Sequence, residues 1–234
     1  MKNPNIARSL SCLFALLLIA LSMPSSPAKG ANSESDNWKA RALKAEEELA
    51  KRAAGPKLPQ PAPISLSAKT TALLVLDLSN RCNDQAQVCK QLVPRIKEFL
   101  PKTRAAKVFT VYTVSAGAKD SPQGKVWDGF SVPSDEPVIA PDSIDKFWPG
   151  DLGPMLQKKG IKTVIITGAS TNNAVLFTAQ AAARNFGLNV VIPLDGVIAK
   201  SSYESEYPIY QFSVMPSGAS ERFSYTTLEG ISFK

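Results

Sequence analysis

Apolar residues in this chain come in short unbroken blocks rather than in alternation. The clearest block opens residues 163–183, T-V-I-I-T-G-A-S-T-N-N-A-V-L-F-T-A-Q-A-A-A. Val164, Ile165 and Ile166 are consecutive β-branched residues with no polar residue between them. That pattern predicts a parallel strand covered on both faces. Gly168 breaks the strand, and Ser170, Thr171, Asn172 and Asn173 are all helix-capping types. Small or helix-favouring residues then run from Ala174 to Ala183, so a helix is expected there. Strand, tight turn and helix N-terminus make a corner that aims backbone N–H groups at a ligand. In a parallel sheet such corners lie at the carboxyl ends of the strands, where sites form.

Similar blocks at 72–78 (A-L-L-V-L-D-L), 108–114 (V-F-T-V-Y-T-V) and 189–194 (N-V-V-I-P-L) predict three more core strands. A brief strand is expected at 138–139 and an edge strand at 224–227. Helices are predicted around 92–100, with Pro94 in the first turn, and over 151–159, ended by Gly160. A third spans 203–215, where Pro208 either starts or kinks it. Residues 115–137 hold Gly117, Pro122, Gly124, Gly129 and Pro133 and read as a long loop, a kind that often covers sites. Trp127 and Phe130 within it fit either a lid or an anchor. Strands alternating with helices across 72–200 predict an α/β fold: three layers, α/β/α, around a doubly wound, mostly parallel sheet.

Upstream the pattern changes. Lys2 and Arg8 precede an apolar run at 13–21, and Ser25, Ser26, Pro27 and Ala28 follow it. This is the order of a secretory signal. The run is short for a membrane span, and an uncleaved N-terminal anchor is the alternative. Trp38, Ala42, Ala45 and Leu49 recur at helical spacing, and Glu47 and Glu48 lie four residues before Lys51 and Arg52. Pro56, Pro59, Pro61 and Pro63 then make a stiff, extended linker. The expected organisation is a signal peptide at 1–28, a charged helical segment at 29–54, a Pro-rich linker at 55–63 and a folded domain at 64–234. The expected address is periplasmic or extracellular, with membrane proximity through the N-terminal segment compatible with the same pattern.

Composition narrows the chemistry. The formal charge is +7, and it falls to +5 if residues 1–28 are removed, because only Lys2 and Arg8 leave with them. Such a mild excess favours anionic partners or simply solubility. No Lys/Arg cluster with interleaved aromatics is present, so nucleic acid is not an expected partner. Cys12 belongs to the signal segment. Cys82 and Cys89, in one short loop of an exported chain, read as a disulfide. A ring of that size stabilises by about 2–3 kcal/mol on the chain-entropy account. A redox pair or nucleophile is the weaker reading, since neither cysteine sits between a strand and a helix N-terminus. The chain has no histidine, which excludes Ser-His-Asp and Cys-His catalysis and most zinc sites. A general base must therefore be Asp, Glu, Lys or Tyr. Asp77 leads, because a carboxylate at the end of a buried strand is costly unless partnered, and that end is the sheet's ligand edge. Neither a metal nor a cofactor is expected.

With these motifs in place, the chain resembles the isochorismatase-like hydrolases, the superfamily of nicotinamidases and N-carbamoyl-amide hydrolases. L-L-V-L-D-L at 73–78 resembles its opening strand. F-W-P-G-D-L…L…K-G-I-K-T-V-I-I-T-G at 147–168 resembles the helix and strand before its nucleophile. T-G-A-S-T-N-N-A-V-L-F-T-A…A…G-L-N-V-V-I-P-L-D-G at 167–196 resembles the nucleophile turn, its helix and the next strand. The resemblance implies a six-stranded parallel sheet between helices, and usually a homo-oligomer. It implies an Asp, Lys, Cys triad with an oxyanion hole of backbone N–H groups at the turn. It also implies a non-proline cis peptide, here at Ala169–Ser170. Asp77 matches the Asp. The Cys position falls on Ala174 and the Lys position near Pro141, with Lys146 the one candidate substitute, in a different place. A thioester mechanism cannot run without the thiol.

Two functions remain. One is hydrolysis of a small amide or vinyl ether without a thiol. Asp77 would deprotonate water, Lys146 would polarise or hold the substrate, and N–H groups of Ala169, Ser170, Thr171, Asn172, Asn173 and Ala174 would stabilise the oxyanion. Capping suits Ser170 and Thr171 better than nucleophilic attack, because no histidine base is present. The other is a non-catalytic module that binds a small ligand or an envelope partner. Asp195 fits a turn with Gly196, and Tyr203, Glu204 and Glu206 fit a pocket rim.

Overall fold

The computed structural model describes residues 31–53 and 57–234. The chain divides into two compact units, Met1–Pro56 and Lys57–Lys234. In the first, α1 (Ala31–Ala53) is one helix on which Trp38, Leu43 and Leu49 are exposed. The signal expected at 1–28 lies outside the described residues. No described helix is long and apolar enough to cross a membrane.

The second unit begins with β1 (Ile64–Leu66) and β2 (Thr71–Leu76), followed by α2 (Val93–Ala105), β3 (Phe109–Thr113) and β4 (Val138–Ile139). Next come α3 (Leu152–Lys158), β5 (Thr163–Ala169) and α4 (Leu176–Arg184). The chain ends with β6 (Asn189–Pro193), β7 (Val197–Ile198), α5 (Ser202–Ser213), β8 (Phe223–Thr226) and β9 (Ile231–Phe233). The main sheet follows the order β4-β3-β2-β5-β6-β8, with β7 paired to the end of β5. Every neighbouring pair in it is parallel.

The unbroken apolar blocks have a simple cause. Ala72, Leu74 and Leu76 of β2 enter one core, with α3, α4 and α5, while Leu73 and Val75 enter the other, with α2. A strand with helices on both faces has no polar side to show. The fold is the expected three-layer α/β/α arrangement.

Several elements differ from expectation. α2 does not stop at Leu100. It continues through Pro101 to Ala105 and carries Thr103, fully buried, into the core. β1 and β9 form a separate two-stranded parallel sheet, and β7 is a further short strand. Each spans two or three residues, too few for a periodic signal. The long loop between β3 and β4 is pinned rather than free. Arg104 of α2 donates to both Glu136 carboxylate oxygens (2.9 and 3.0 Å) and to the Phe130 carbonyl (3.1 Å). Phe130 is buried, and Trp127 packs edge-on against it with its indole N–H on Asn83 Oδ1 (2.7 Å). These two aromatics are anchors.

The sheet reverses its winding direction beside β2. From β2 the chain steps to β3 and β4 on one side, then returns to β5, β6 and β8 on the other. The carboxyl ends of β2 and β5 therefore flank the switch point, where ligands bind in open α/β sheets. They also meet closely. Leu76 is in register with Gly168, whose φ of 129° suits glycine alone, and a Cβ there would overlap the Leu76 carbonyl oxygen. Gly168→Ala should lower unfolding free energy by at least about 2 kcal/mol, since backbone must move and strain is added. A urea midpoint shift at unchanged slope checks this.

Candidate active site

Asp77 is the first residue beyond β2, with φ 54°, a left-handed conformation that Asp tolerates better than most residues. Its N–H donates to the Thr113 carbonyl (3.1 Å), and the Thr113 hydroxyl donates to Asp77 Oδ1 (2.8 Å). Thr113 ends β3, in register with Leu76, so pairing of adjacent strands fixes the carboxylate. The second oxygen, Oδ2, lies 2.8 Å from Lys146 Nζ.

Lys146 sits in the segment between β4 and α3, and its side chain is 3% exposed. A buried ammonium must be partnered. Besides Asp77, it donates to the Ser143 carbonyl (3.1 Å). Its own N–H is held by the Thr178 hydroxyl of α4 (3.1 Å). The flanking residues fix the segment further: Asp145 Oδ1 accepts the Phe147 N–H (2.9 Å), and the Phe147 ring stacks on Phe186 with centroids 4.4 Å apart. Burial holds the Asp145 carboxyl above the usual carboxylate range, partly offset by that N–H and by the Lys146 charge.

The turn after β5 carries the cis peptide Ala169–Ser170, then a π-helical turn, Thr171–Val175, before α4 starts at Leu176. This corrects the expected capping of a helix from Ala174. The Ser170 hydroxyl bonds Asn172 Oδ1 (2.6 Å) and makes no cap, and no side-chain cap hydrogen bond opens either helical segment. The Asn173 N–H is spent on the Ser170 carbonyl (3.0 Å), so it is not a free oxyanion donor. Thr171 is fully buried, and its hydroxyl has no partner among the described residues.

A polar cavity of about 570 Å³ opens above these residues. Asp77, Ala169, Ser170, Asn172 and Asn173 line its floor. One wall comes from the loop after β2, where Cys82 and Cys89 form the expected disulfide. Another comes from the long loop, at Ser115, Ala118 and Gly124. A bridge between Ser79 and Val126 and the bond from Asn80 N–H to the Lys125 carbonyl (3.0 Å) tie these two walls together. Lys200 and Glu204, at the start of α5, close the ring.

An isochorismatase-domain family model matches residues 71–218. The chain belongs to the isochorismatase family. Its fold is similar to an isochorismatase family protein of Burkholderia thailandensis (TM-score 0.61, 21% identity, covering 73% of this chain and 97% of that one). It is also similar to a nicotinamidase of Staphylococcus aureus (0.58, 18%, 68% and 98%) and an N-carbamoylsarcosine amidase of Thermoplasma acidophilum (0.57, 17%, 68% and 97%). At such identities the likeness speaks for the fold alone. No curated protein matches the chain.

Within this isochorismatase-family fold, Asp77 and Lys146 come into contact although 68 positions of intervening chain separate them. Lys146 lies outside the place its sequence register suggested, yet it reaches the Asp. Ala174, where the sequence resemblance leads one to expect the nucleophile, is 4% exposed and is not part of the cavity lining. Glu204 reaches the cavity, whereas Tyr203 is largely exposed. Asp195 lies outside the lining of this cavity; the Gly196 N–H closes its turn on the Pro193 carbonyl (2.9 Å), and Asp195 Oδ1 accepts the Leu228 N–H (2.8 Å) beyond β8. Sequence reasoning missed Thr113, Arg81 and Lys200. Thr113 was readable only as a strand residue, and nothing in the linear pattern marks the other two. Among the described residues no cluster of three or more His, Cys, Asp or Glu side chains could hold a metal.

The two partners of the ion pair should respond unequally to removal. Asp77→Ala strands a buried ammonium and should cost about 3 kcal/mol. Lys146→Met leaves Asp77, whose side chain is 24% exposed, with the Thr113 hydroxyl and solvent, and should cost less. Denaturant titration of both variants ranks them. Asp145→Asn tests a second expectation. Because the native state disfavours the charged Asp145 carboxylate, that group costs stability at neutral pH, and the cost fades as pH falls into the range where folded and unfolded forms are both protonated. The variant should therefore be more stable than wild type at pH 7 and should lose that advantage at acid pH, by thermal melts at each pH.

Proposed function

We propose that this chain is an exported hydrolase that cleaves a small amide or vinyl ether without a covalent enzyme intermediate. The observation that carries the reading is the Asp77–Lys146 pair, intact at the floor of a polar cavity although the nucleophile position is a buried methyl. Replacing a buried ion pair by apolar residues is often neutral or stabilising, so fold stability is a poor account of it. The pair instead lies at the ligand edge of the sheet, beside a polar cavity of ligand size.

For an amide, a water above Asp77 adds to the carbonyl carbon and gives its proton to the carboxylate. The same proton passes to the leaving nitrogen as the C–N bond breaks. Lys146, 2.8 Å from Oδ2, fixes the orientation of the Asp77 side chain. Nearby backbone N–H groups of the turn, other than that of Asn173, stabilise the developing oxyanion. The Cys82–Cys89 disulfide supports the exported address, since such bonds persist in oxidising compartments. Burial of Ala174 outside the cavity favours a second reading, a binding module without turnover.

A hydrolysis screen on the full-length protein separates the two. The panel holds small amides, N-carbamoyl compounds and vinyl ethers. Turnover that falls at least about 100-fold in Asp77→Asn supports the hydrolase. Iodoacetamide under non-reducing conditions should leave that turnover unchanged, because the site has no thiol. Absence of turnover across the panel selects the binding module.

A further inference from the structure

Four charged residues line the cavity: Asp77, Arg81, Lys200 and Glu204. Two of these charges are already answered. Asp77 is held by Lys146 and Thr113. Glu204 Oε2 accepts the Ser201 N–H (3.0 Å), and Ser201 Oγ accepts the Glu204 N–H (3.2 Å), a reciprocal cap that opens α5. Arg81 and Lys200 have no ion pair and no side-chain hydrogen bond among the described residues.

Both cations stand on fixed backbone. Arg81 directly precedes Cys82, which is buried and disulfide-bonded to Cys89, itself part of the cavity wall. Lys200 directly precedes the capped start of α5. The backbone under each cation is fixed, while both residues are exposed and their charged groups are free to engage. With the Asp77–Lys146 pair neutral and Glu204 offsetting one cation, the cavity carries one net positive charge. Its volume suits a small molecule. A guanidinium presents a planar fork that matches a carboxylate, and an ammonium adds a second charge-assisted donor.

We propose that Arg81 and Lys200 form a clamp for a carboxylate on the substrate, so that this site takes small monoanionic amides in preference to neutral ones. The clamp rests on reading the Asp77 cavity as the substrate site, but it can be tested without turnover.

The test is calorimetric titration of the full-length protein with N-carbamoylglycine and with its neutral primary amide, N-carbamoylglycinamide. Wild type should bind the acid about tenfold or more tightly than the amide, and added salt should shrink the difference. Arg81→Met and Lys200→Met should each reduce the preference, and the double variant should bring it near unity with unchanged melting temperature. Equal binding of acid and amide by wild type, a preference that survives in the double variant, or binding of neither at millimolar concentration overturns the clamp. Its failure is distinct from failure of the hydrolase reading. A carboxylate preference without turnover keeps the clamp and removes the chemistry, whereas turnover without the preference does the reverse.

Discussion

A lysine that is 3% exposed sets the terms for this site. An ammonium so placed must find fixed acceptors; the fold supplies two of them and anchors the lysine backbone from a third direction. β2 delivers Asp77, the segment before α3 delivers the Ser143 carbonyl, and α4 holds the lysine backbone through Thr178. Asp77 is in turn held by β3 through Thr113. The strand order makes this convergence available, because β2 lies between β3 and β5 where the winding direction changes. Remove that order and the carboxylate, its lysine and the turn after β5 no longer share one edge.

The cavity above the pair is built by loops, yet they are stitched loops. The disulfide ring, the Ser79–Val126 bridge and the Arg104–Glu136 pair fix its walls to the sheet and to α2. Tyr112 joins that last network, its hydroxyl donating to Glu136 Oε2 (2.8 Å). Burial pushes the Tyr112 phenol well above its ordinary range, so it stays neutral and keeps donating. Walls held this way preorganise a site, which lowers the ordering cost a ligand must meet.

How much of this was legible follows from what each feature depends on. The core strands were legible because double-sided burial leaves unbroken apolar runs, and Val164, Ile165 and Ile166 show it most clearly. Asp77 was legible because a carboxylate ends such a run. The π turn at Thr171–Val175 was not, since Ser170, Thr171 and the two asparagines are good caps by residue type, and tertiary packing put Thr171 and Ala174 inside instead. The meeting of Lys146 with Asp77 was not legible either, because the lysine lies off its register and the contact depends on how the chain returns to the sheet. Arg81 and Lys200 belong to different loops, and only the fold brings them to one cavity.

The ion pair and the proposed carboxylate clamp depend on each other. A carboxylate base and a carboxylate substrate in one small cavity would repel. Two like unit charges about 4 Å apart cost about 4 kcal/mol at an effective dielectric constant near 20, enough to exclude the ligand. Lys146 cancels the charge of Asp77 from below, outside the cavity lining, and so leaves the open space free of that repulsion. Arg81 and Lys200 then attract without competing for Asp77, which already has its cation. In this arrangement the buried lysine does two jobs. It holds the Asp77 carboxylate in place, and it lets an anion approach that carboxylate.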